Sequence, residues 1–240
     1  MALEGFVGWH GQGKTYSAVA HVLGEWDRHS IPIVTNAILA GNVPAADWLE
    51  VGGPPPPVLH FETWDDLMAI LEVAIADKLR LQLLVDEAGK FLSSRFYSKL
   101  DPRVLMVLQE RRKVGAGLDL YWTAPSFDHV DKILRDVSQA VHACKRFGGS
   151  EYSHDGGKPP RAFLVRTYRP NDVGKERKSA IARRLVPFTR ELAGLYSTGI
   201  VSMGTPMAEK TAARPDYREP EPVDPPPAPA VTVQLPRRRR

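Results

Sequence analysis

Gly8-Trp9-His10-Gly11-Gln12-Gly13-Lys14-Thr15 stands behind the apolar pair Phe6-Val7 and ahead of a segment with helical spacing. Its Gly-x-x-x-x-Gly-Lys-Thr pattern is that of a phosphate-binding loop. Glycines let such a loop turn through positive φ and approach a ligand closely. The helix that follows points the positive end of its dipole at the anion. The lysine of such a loop reaches β- and γ-phosphates, and the threonine hydroxyl holds Mg²⁺.

Working outward, residues 3–7 predict a short central strand. Residues 14–28 predict the helix that leaves the loop, with Val19, Val22, Leu23 and Trp26 at helical spacing. Residues 31–35 read as a β-branched strand with Pro32 tolerated near its start. It ends in Asn36, at the C-terminal edge where ligands sit in open parallel sheets. Residues 41–57, with Gly52-Gly53 and a run of prolines from Pro54 to Pro57, read as an extended connector. Residues 58–61 suit a short strand. Thr63 suits an N-cap, with Asp65 and Asp66 in the first turn of a helix reaching about Lys78. Leu67, Ile70, Leu71, Ala74 and Ile75 form its buried stripe.

Leu81-Gln82-Leu83-Leu84-Val85-Asp86-Glu87 is the second informative stretch. Its near-continuous apolar run suits a strand covered on both faces. An Asp at the end of such a strand can hold Mg²⁺ opposite the loop threonine. A Glu directly after it is placed to orient and deprotonate a water. Alone, Asp-Glu after a strand is more often an exposed acidic turn; the phosphate-binding loop upstream favours the chemical reading.

Residues 102–113 predict an amphipathic helix entered at Asp101-Pro102 and finishing in Arg111-Arg112-Lys113. Residues 118–123 read as a strand whose last residue, Thr123, faces the γ-phosphate region if it neighbours the first strand. Residues 128–135 suit a short helix, followed by strands at about 137–144 and 162–168. Residues 148–160 read as a hairpin loop between them, which makes an antiparallel pair at one edge of an otherwise parallel α/β sheet. Residues 175–184 are strongly basic, and residues 188–196 suit one more short helix. From about Gly204 apolar periodicity stops, and prolines and acidic residues lead to Arg237-Arg238-Arg239-Arg240, the composition of a disordered tail.

The net charge of +4 is modest, but basic residues concentrate from Lys145 onward. That suits an anionic partner such as nucleic acid or a membrane surface, and equally a solvated basic face. The single cysteine, Cys144, allows no internal disulfide and points to a reducing cytoplasm. With the loop so near the first residue no signal peptide is expected, and residues 67–76, interrupted by Glu72, fall far short of a membrane span. A soluble protein is expected.

Taken together the chain resembles the zonula occludens toxin (Zot)-like family, morphogenesis ATPases of filamentous phages related to the FtsK/HerA group. The resemblance is carried by Gly8-x-x-Gly11-x-Gly13-Lys14-Thr15-Tyr16-x-Ala18-Val19, Ile33-Val34-Thr35-Asn36 and Leu83-Leu84-Val85-Asp86-Glu87-Ala88. It continues through Arg111-Arg112-Lys113-x-Gly115, Asp119-Leu120-Tyr121-Trp122-Thr123 and Val130-Asp131-x-Ile133-x-Arg135, so that it covers about residues 3–170. It implies a RecA-like P-loop core with an extra strand between the two nucleotide-site strands; the chain is read as a P-loop ATPase domain over 1–170, a basic extension over 171–203 and a tail over 204–240. It implies Mg²⁺-ATP hydrolysis serving virion assembly or extrusion in the host cytoplasm, at the inner face of the membrane or the assembly site. The implied ATP-binding set is Gly8, Gly11, Gln12, Gly13, Lys14, Thr15, Tyr16, Asn36, Asp86 and Thr123, with Thr15 and Asp86 on the metal. Catalysis falls to Glu87 and Lys14, joined by Arg112 or Arg135 from a neighbouring copy in a homo-oligomer. Phage DNA and coat or assembly proteins are the implied partners.

Two departures bear on this. Ala124 stands where proteins of this kind often carry glutamine, leaving Thr123 to serve alone or the γ-phosphate sensor absent. Filamentous-phage members usually continue into a transmembrane helix and an outer domain, where this sequence shows a proline- and arginine-rich tail, so a membrane-embedded role is not expected. A soluble viral DNA-packaging ATPase, and an ATP-binding interaction module with little turnover, therefore stand as alternatives. A small-molecule kinase fits less well, because no lid with clustered arginines is visible.

Overall fold

The run from Leu81 to Val85 is covered on both faces, as its apolar character predicts, and it lies inside a nine-stranded sheet. The computed structural model describes residues 1–91, 116–149, 159–174 and 179–197. The helix expected at 102–113, with Arg112, most of the hairpin at 148–160 and the tail lie outside the described residues.

Along the chain the elements are β1 (Leu3–Val7), α1 (Lys14–His29), β2 (Ile33–Thr35), β3 (Ile38–Leu39), β4 (Val43–Pro44), α2 (Ala45–Val51), β5 (Val58–His60), α3 (Trp64–Ala76), β6 (Arg80–Val85) and α4 (Ala88–Phe91). There follow β7 (Gly117–Ala124), a 3₁₀ turn at Phe127–His129, α5 (Lys132–Val137), β8 (Ala140–Phe147), β9 (Ala162–Tyr168), β10 (Ala182–Pro187), α6 (Arg190–Gly194) and β11 (Tyr196–Ser197). The sheet order is β10-β9-β8-β1-β7-β6-β2-β5-β4, parallel from β8 to β4 and antiparallel across β8–β9 and β9–β10. β7 is thus the extra strand between β1 and β6 that the resemblance implies.

Two apolar layers clamp the sheet. On one face Ala18, Val19 and Val22 of α1 pack with Phe6, Ile33, Leu84, Tyr121, Cys144 and Val165. On the other, Leu67, Ile70, Leu71 and Ala74 of α3 pack with Leu83, Leu120 and Trp122, each leucine and isoleucine contributing ~1.5–3 kcal/mol by leaving water. α3 starts where expected: Thr63 Oγ1 accepts the Asp66 N–H at 3.1 Å while the Asp66 carboxylate accepts the Thr63 N–H at 2.9 Å.

Polar residues inside strands have local reasons. Gln82 is fully buried in β6 because its Nε2 donates to the Ile31 carbonyl at 3.0 Å, tying the strand to the chain beyond α1. Asp119, buried in β7, accepts Arg80 at 2.8 Å and pins the N-terminus through the Ala2 N–H at 2.5 Å. Gly5 faces Trp122 across β1 and β7, and a Cβ there would lie 2.1 Å from the indole. The large ring takes the space that the glycine leaves.

Three expectations are corrected. Residues 41–57 are not all connector: β4 and α2 occupy their first half. α2 is seven residues long, too short to show periodicity, and it is held by the burial of Ala45 and Trp48, whose Nε1 donates to the Gly53 carbonyl at 3.3 Å. The helix expected over 128–135 is split into the 3₁₀ turn and α5. The basic stretch ends in a strand, β10, so the antiparallel edge is three strands deep; an exposed edge strand carrying Arg183 and Arg184 has little apolar alternation to announce it.

Candidate nucleotide site

The loop springs from β1 with the Gly8 N–H on the Ala124 carbonyl at 3.3 Å, and closes with the Gln12 N–H on the Trp9 carbonyl at 3.1 Å. Gly11 and Gly13 lie at φ 72 and 80, the left-handed region that side chains rarely adopt. At Gly13 a Cβ would also strike the Phe163 ring at 2.2 Å, so β9 floors the loop. Gly8 is as constrained, since a Cβ there would lie 2.9 Å from the Cys144 carbonyl oxygen. Gln12 Oε1 accepts the Arg146 N–H at 3.0 Å, fastening the loop to the end of β8. α1 then begins with Gly13 as N-cap, with neither a side-chain cap nor an acidic residue in its first turn. The N–H groups of that turn are unmatched within the helix and carry its positive dipole end, the arrangement that suits an anion.

The two carboxylates meet this loop because β6 and β1 flank β7. Thr15 Oγ1 donates to Asp86 Oδ1 at 2.9 Å, and Thr123 Oγ1, at the end of β7, donates to the same oxygen at 2.6 Å. The Thr123 hydroxyl also accepts the Glu87 N–H at 3.0 Å. Asn36, at the end of β2, grips the Asp86 backbone from the other side: its Oδ1 accepts the Asp86 N–H at 2.7 Å and its Nδ2 donates to the Asp86 carbonyl at 3.1 Å. Asp86 is therefore set by three strand ends at once.

Glu87 adopts φ 53, an uncommon conformation for a side-chain-bearing residue, in the turn that carries it off β6. Its Oε1 pairs with Lys14 Nζ at 3.0 Å and its Oε2 faces Lys90 at 3.7 Å. Burial pushes its pKa up, but the Lys14 hydrogen bond and the charges of Lys14, Lys90 and His10 outweigh this and hold it below the ordinary carboxylate value. Lys90 was not among the expected residues; the Glu-x-x-Lys spacing on one helical turn was the available signal.

The hydroxyl of Thr15 and the carboxylate of Asp86 are hard oxygen donors. Their 2.9 Å separation is close to the edge of an octahedron with bonds of about 2.0–2.1 Å, so the pair fits Mg²⁺.

The other expected residues lie further out. The Tyr16 side chain is buried away from the loop: its OH donates to the Pro187 carbonyl and accepts the Thr189 N–H, both at 2.9 Å, and its ring stacks on Phe188. Only its backbone N–H belongs to the first turn of α1. Arg135 pairs through Nη1 with Asp128 at 3.0 Å, lies over the Phe127 ring, and lines a cavity of about 200 Å³ with Lys132, Asp136, Pro170 and Asn171. Ala124 is fully buried. Trp9 stands out as an indole 69% exposed within the loop, edge-on to His129.

No family model matches the sequence, and no curated protein does. Solved structures do match. The genome packaging NTPase B204 from Sulfolobus turreted icosahedral virus 2, in complex with ATP-gammaS, superposes with a TM-score of 0.51 at 14% identity over 78% of this chain and 98% of that one. The N-terminal domain of zonular occludens toxin from Neisseria meningitidis superposes with a TM-score of 0.50 at 15% identity over 82% and 100%. The fold is that of a P-loop NTPase. At these identities the likeness is one of fold, and it bears out the architecture that the Zot-like resemblance implies. Among the described residues no helix is long and apolar enough to cross a membrane.

Proposed function

We propose that this P-loop protein binds Mg²⁺-ATP and hydrolyses it to drive phage assembly or extrusion as a homo-oligomer. The observation that supports this is the convergence of Lys14, Thr15, Asp86, Glu87 and Thr123 where β1, β6 and β7 end side by side. Thr15 and Asp86 would hold the metal, which when bound neutralises charge on the phosphates. Lys14 takes the β- and γ-phosphate charge. In doing so it leaves Glu87, whose backbone stays anchored by its N–H donating to Thr123 Oγ1. Released from the lysine, the Glu87 carboxylate is the group placed to accept the proton of an attacking water. Arg112 or Arg135 of a neighbouring copy completes the site.

The test is multiple-turnover ATP hydrolysis by the parent, Lys14→Ala and Glu87→Gln. Glu87→Gln is expected to lose ~10²–10⁴-fold in turnover, the usual worth of a positioned base, while still binding nucleotide. Parent-like turnover in Glu87→Gln would remove the assignment of the base, and negligible turnover in the parent would leave a nucleotide-binding interaction module. Mixing Arg135→Ala with Glu87→Gln chains tests the shared site, since a donated arginine restores turnover in mixed assemblies only.

A second reading is a soluble DNA-packaging ATPase. The likeness to B204 and the basic residues of β8–β10 favour it. It expects turnover to rise with duplex DNA and that rise to fall steeply with salt, through counterion release. Turnover indifferent to DNA at low salt would return the choice to extrusion.

A further inference from the structure

The antiparallel end of the sheet has one covered face and one open face. Cys144 of β8, Val165 of β9 and Val186 of β10 look toward α1 and pack in its layer. Alternation turns their neighbours the other way, and the register sets Lys145 opposite Leu164 and Leu164 opposite Leu185 across the three strands. Phe147 and Arg166 lie on this same face, each two residues further along its strand. Among the described residues, Phe147, Leu164 and Leu185 belong to neither apolar layer, and Phe147 and Leu185 are 56% and 60% exposed. The cations of these strands are Lys145, Arg146, Arg166, Arg183 and Arg184, and none of the three strands contains an Asp or a Glu. The nucleotide site gives no reason for a phenyl ring exposed among positive charges.

We propose that this face of β8–β10 binds single-stranded DNA, with phosphates on Lys145 and Arg166 and a base on the Phe147 ring. The charge of the three strands is complementary to a polyanion, and the apolar groups decide which one. A duplex keeps its base faces stacked inside and would offer Phe147 and Leu185 only its phosphates. A single strand alternates phosphates with bases that are able to stack on a side chain. A membrane-binding face keeps its apolar side chains apart from its cations. Here Lys145 stands in one row with Leu164 and Leu185, two residues from Phe147. Lys145, Phe147, Leu164, Arg166 and Leu185 include no hydroxyl or amide side chain to read a ribose 2′-OH, which suits DNA over RNA. The face begins beside the nucleotide loop, because the residue between Lys145 and Phe147 is Arg146, whose backbone N–H holds Gln12.

The proposal goes beyond the ATPase reading, and binding is measured on the full chain without nucleotide, so that the two fail separately. Fluorescence anisotropy of a labelled thymidine oligonucleotide of ~20 residues, longer than the site of one such face, gives dissociation constants at several salt concentrations. Phe147→Ala is expected to weaken binding about tenfold with the salt slope unchanged, and Phe147→Trp to restore it. Lys145→Ala is expected to flatten the slope of log Kd against log salt by about 0.7, the share of one phosphate on a single strand. Arg28→Ala, at the exposed end of α1, keeps the parent's affinity and slope. The arginines that end the chain also attract DNA, so each variant is read against the parent that shares them. Unchanged thermal midpoints show that the fold survives. A duplex of equal length bound as tightly as the single strand, a parent-like constant in Phe147→Ala, an unaltered slope in Lys145→Ala, or no binding by the parent each overturns the proposal. Recruitment to phosphatidylserine vesicles in place of the oligonucleotide overturns it in favour of a membrane face.

Discussion

The centre of the sheet and its antiparallel end solve different problems. β1, β7 and β6 are covered on both sides, and their polar residues are tied down: Gln82 through its Nε2, Asp119, Thr123 and, just beyond, Asp86. The end formed by β8, β9 and β10 is half open, with Phe147, Ile181 and Leu185 each more than half exposed. The first region has no freedom to change without a cost in folding or chemistry. The second holds the loop by backbone and ring contacts from Arg146 and Phe163 while leaving its outer surface to solvent. Between them His21, Glu4 and His142 form a polar seam, which Arg184 of β10 reaches from the open side.

Substitutions should separate these regions by size of effect. Trp122→Ala empties the densest place in the centre and should cost ~3–5 kcal/mol, measured by urea unfolding. If it costs no more than an edge substitution, the centre is not the rigid part.

The seam comes next. His21 is held at a pKa of about 4 by burial and by Arg184 and His142, against the pull of Glu4 and Glu25, with the Phe6 and Tyr121 rings packed beside it. In the unfolded chain an ordinary histidine takes up a proton near pH 6.5, which the folded state refuses. Stability is therefore complete above that pH and falls as the solution is acidified toward pH 4, by on the order of 2–3 kcal/mol. Glu4, also held low, loses stability in the same direction at still lower pH. His21→Phe should flatten the slope between pH 6.5 and 4; an equally steep slope in the variant would move the sensitivity elsewhere.

Thr123→Val keeps shape but strands the Glu87 N–H and removes one bond to Asp86, an expected ~1–3 kcal/mol. Turnover should suffer more than nucleotide affinity, which stopped-flow binding beside steady-state rates would reveal. The smallest effect is expected at Leu185→Ser on the open side, within ~0.5 kcal/mol. A larger loss there would mean that the exposed end is covered.

The same contrast explains what was legible in the sequence. The glycines and Lys14-Thr15 announce the loop, and Asp86-Glu87 after an apolar run announce the second strand end, because both depend on local spacing. Asn36 and Thr123 were recognisable as edge residues. That their side chains grip Asp86 and Glu87 depends on the order β1-β7-β6-β2, which joins residues far apart in the chain. α2 was hidden by its brevity among prolines, and β10 by its charge. That Phe163 floors the loop beneath Gly13 gave no local signal either, since only the pairing of β8 with β9 brings it there.

Trp9 carries one consequence of an experimental kind. Trp122 and Trp48 are buried and Trp26 and Trp64 half-buried, whereas the Trp9 indole projects from the loop beside His129. Its emission is set by solvent and by the imidazole at its edge, both close to where phosphates would lie. The part of the native fluorescence that Trp9→Phe removes is therefore a built-in optical gauge of the loop, readable without a dye.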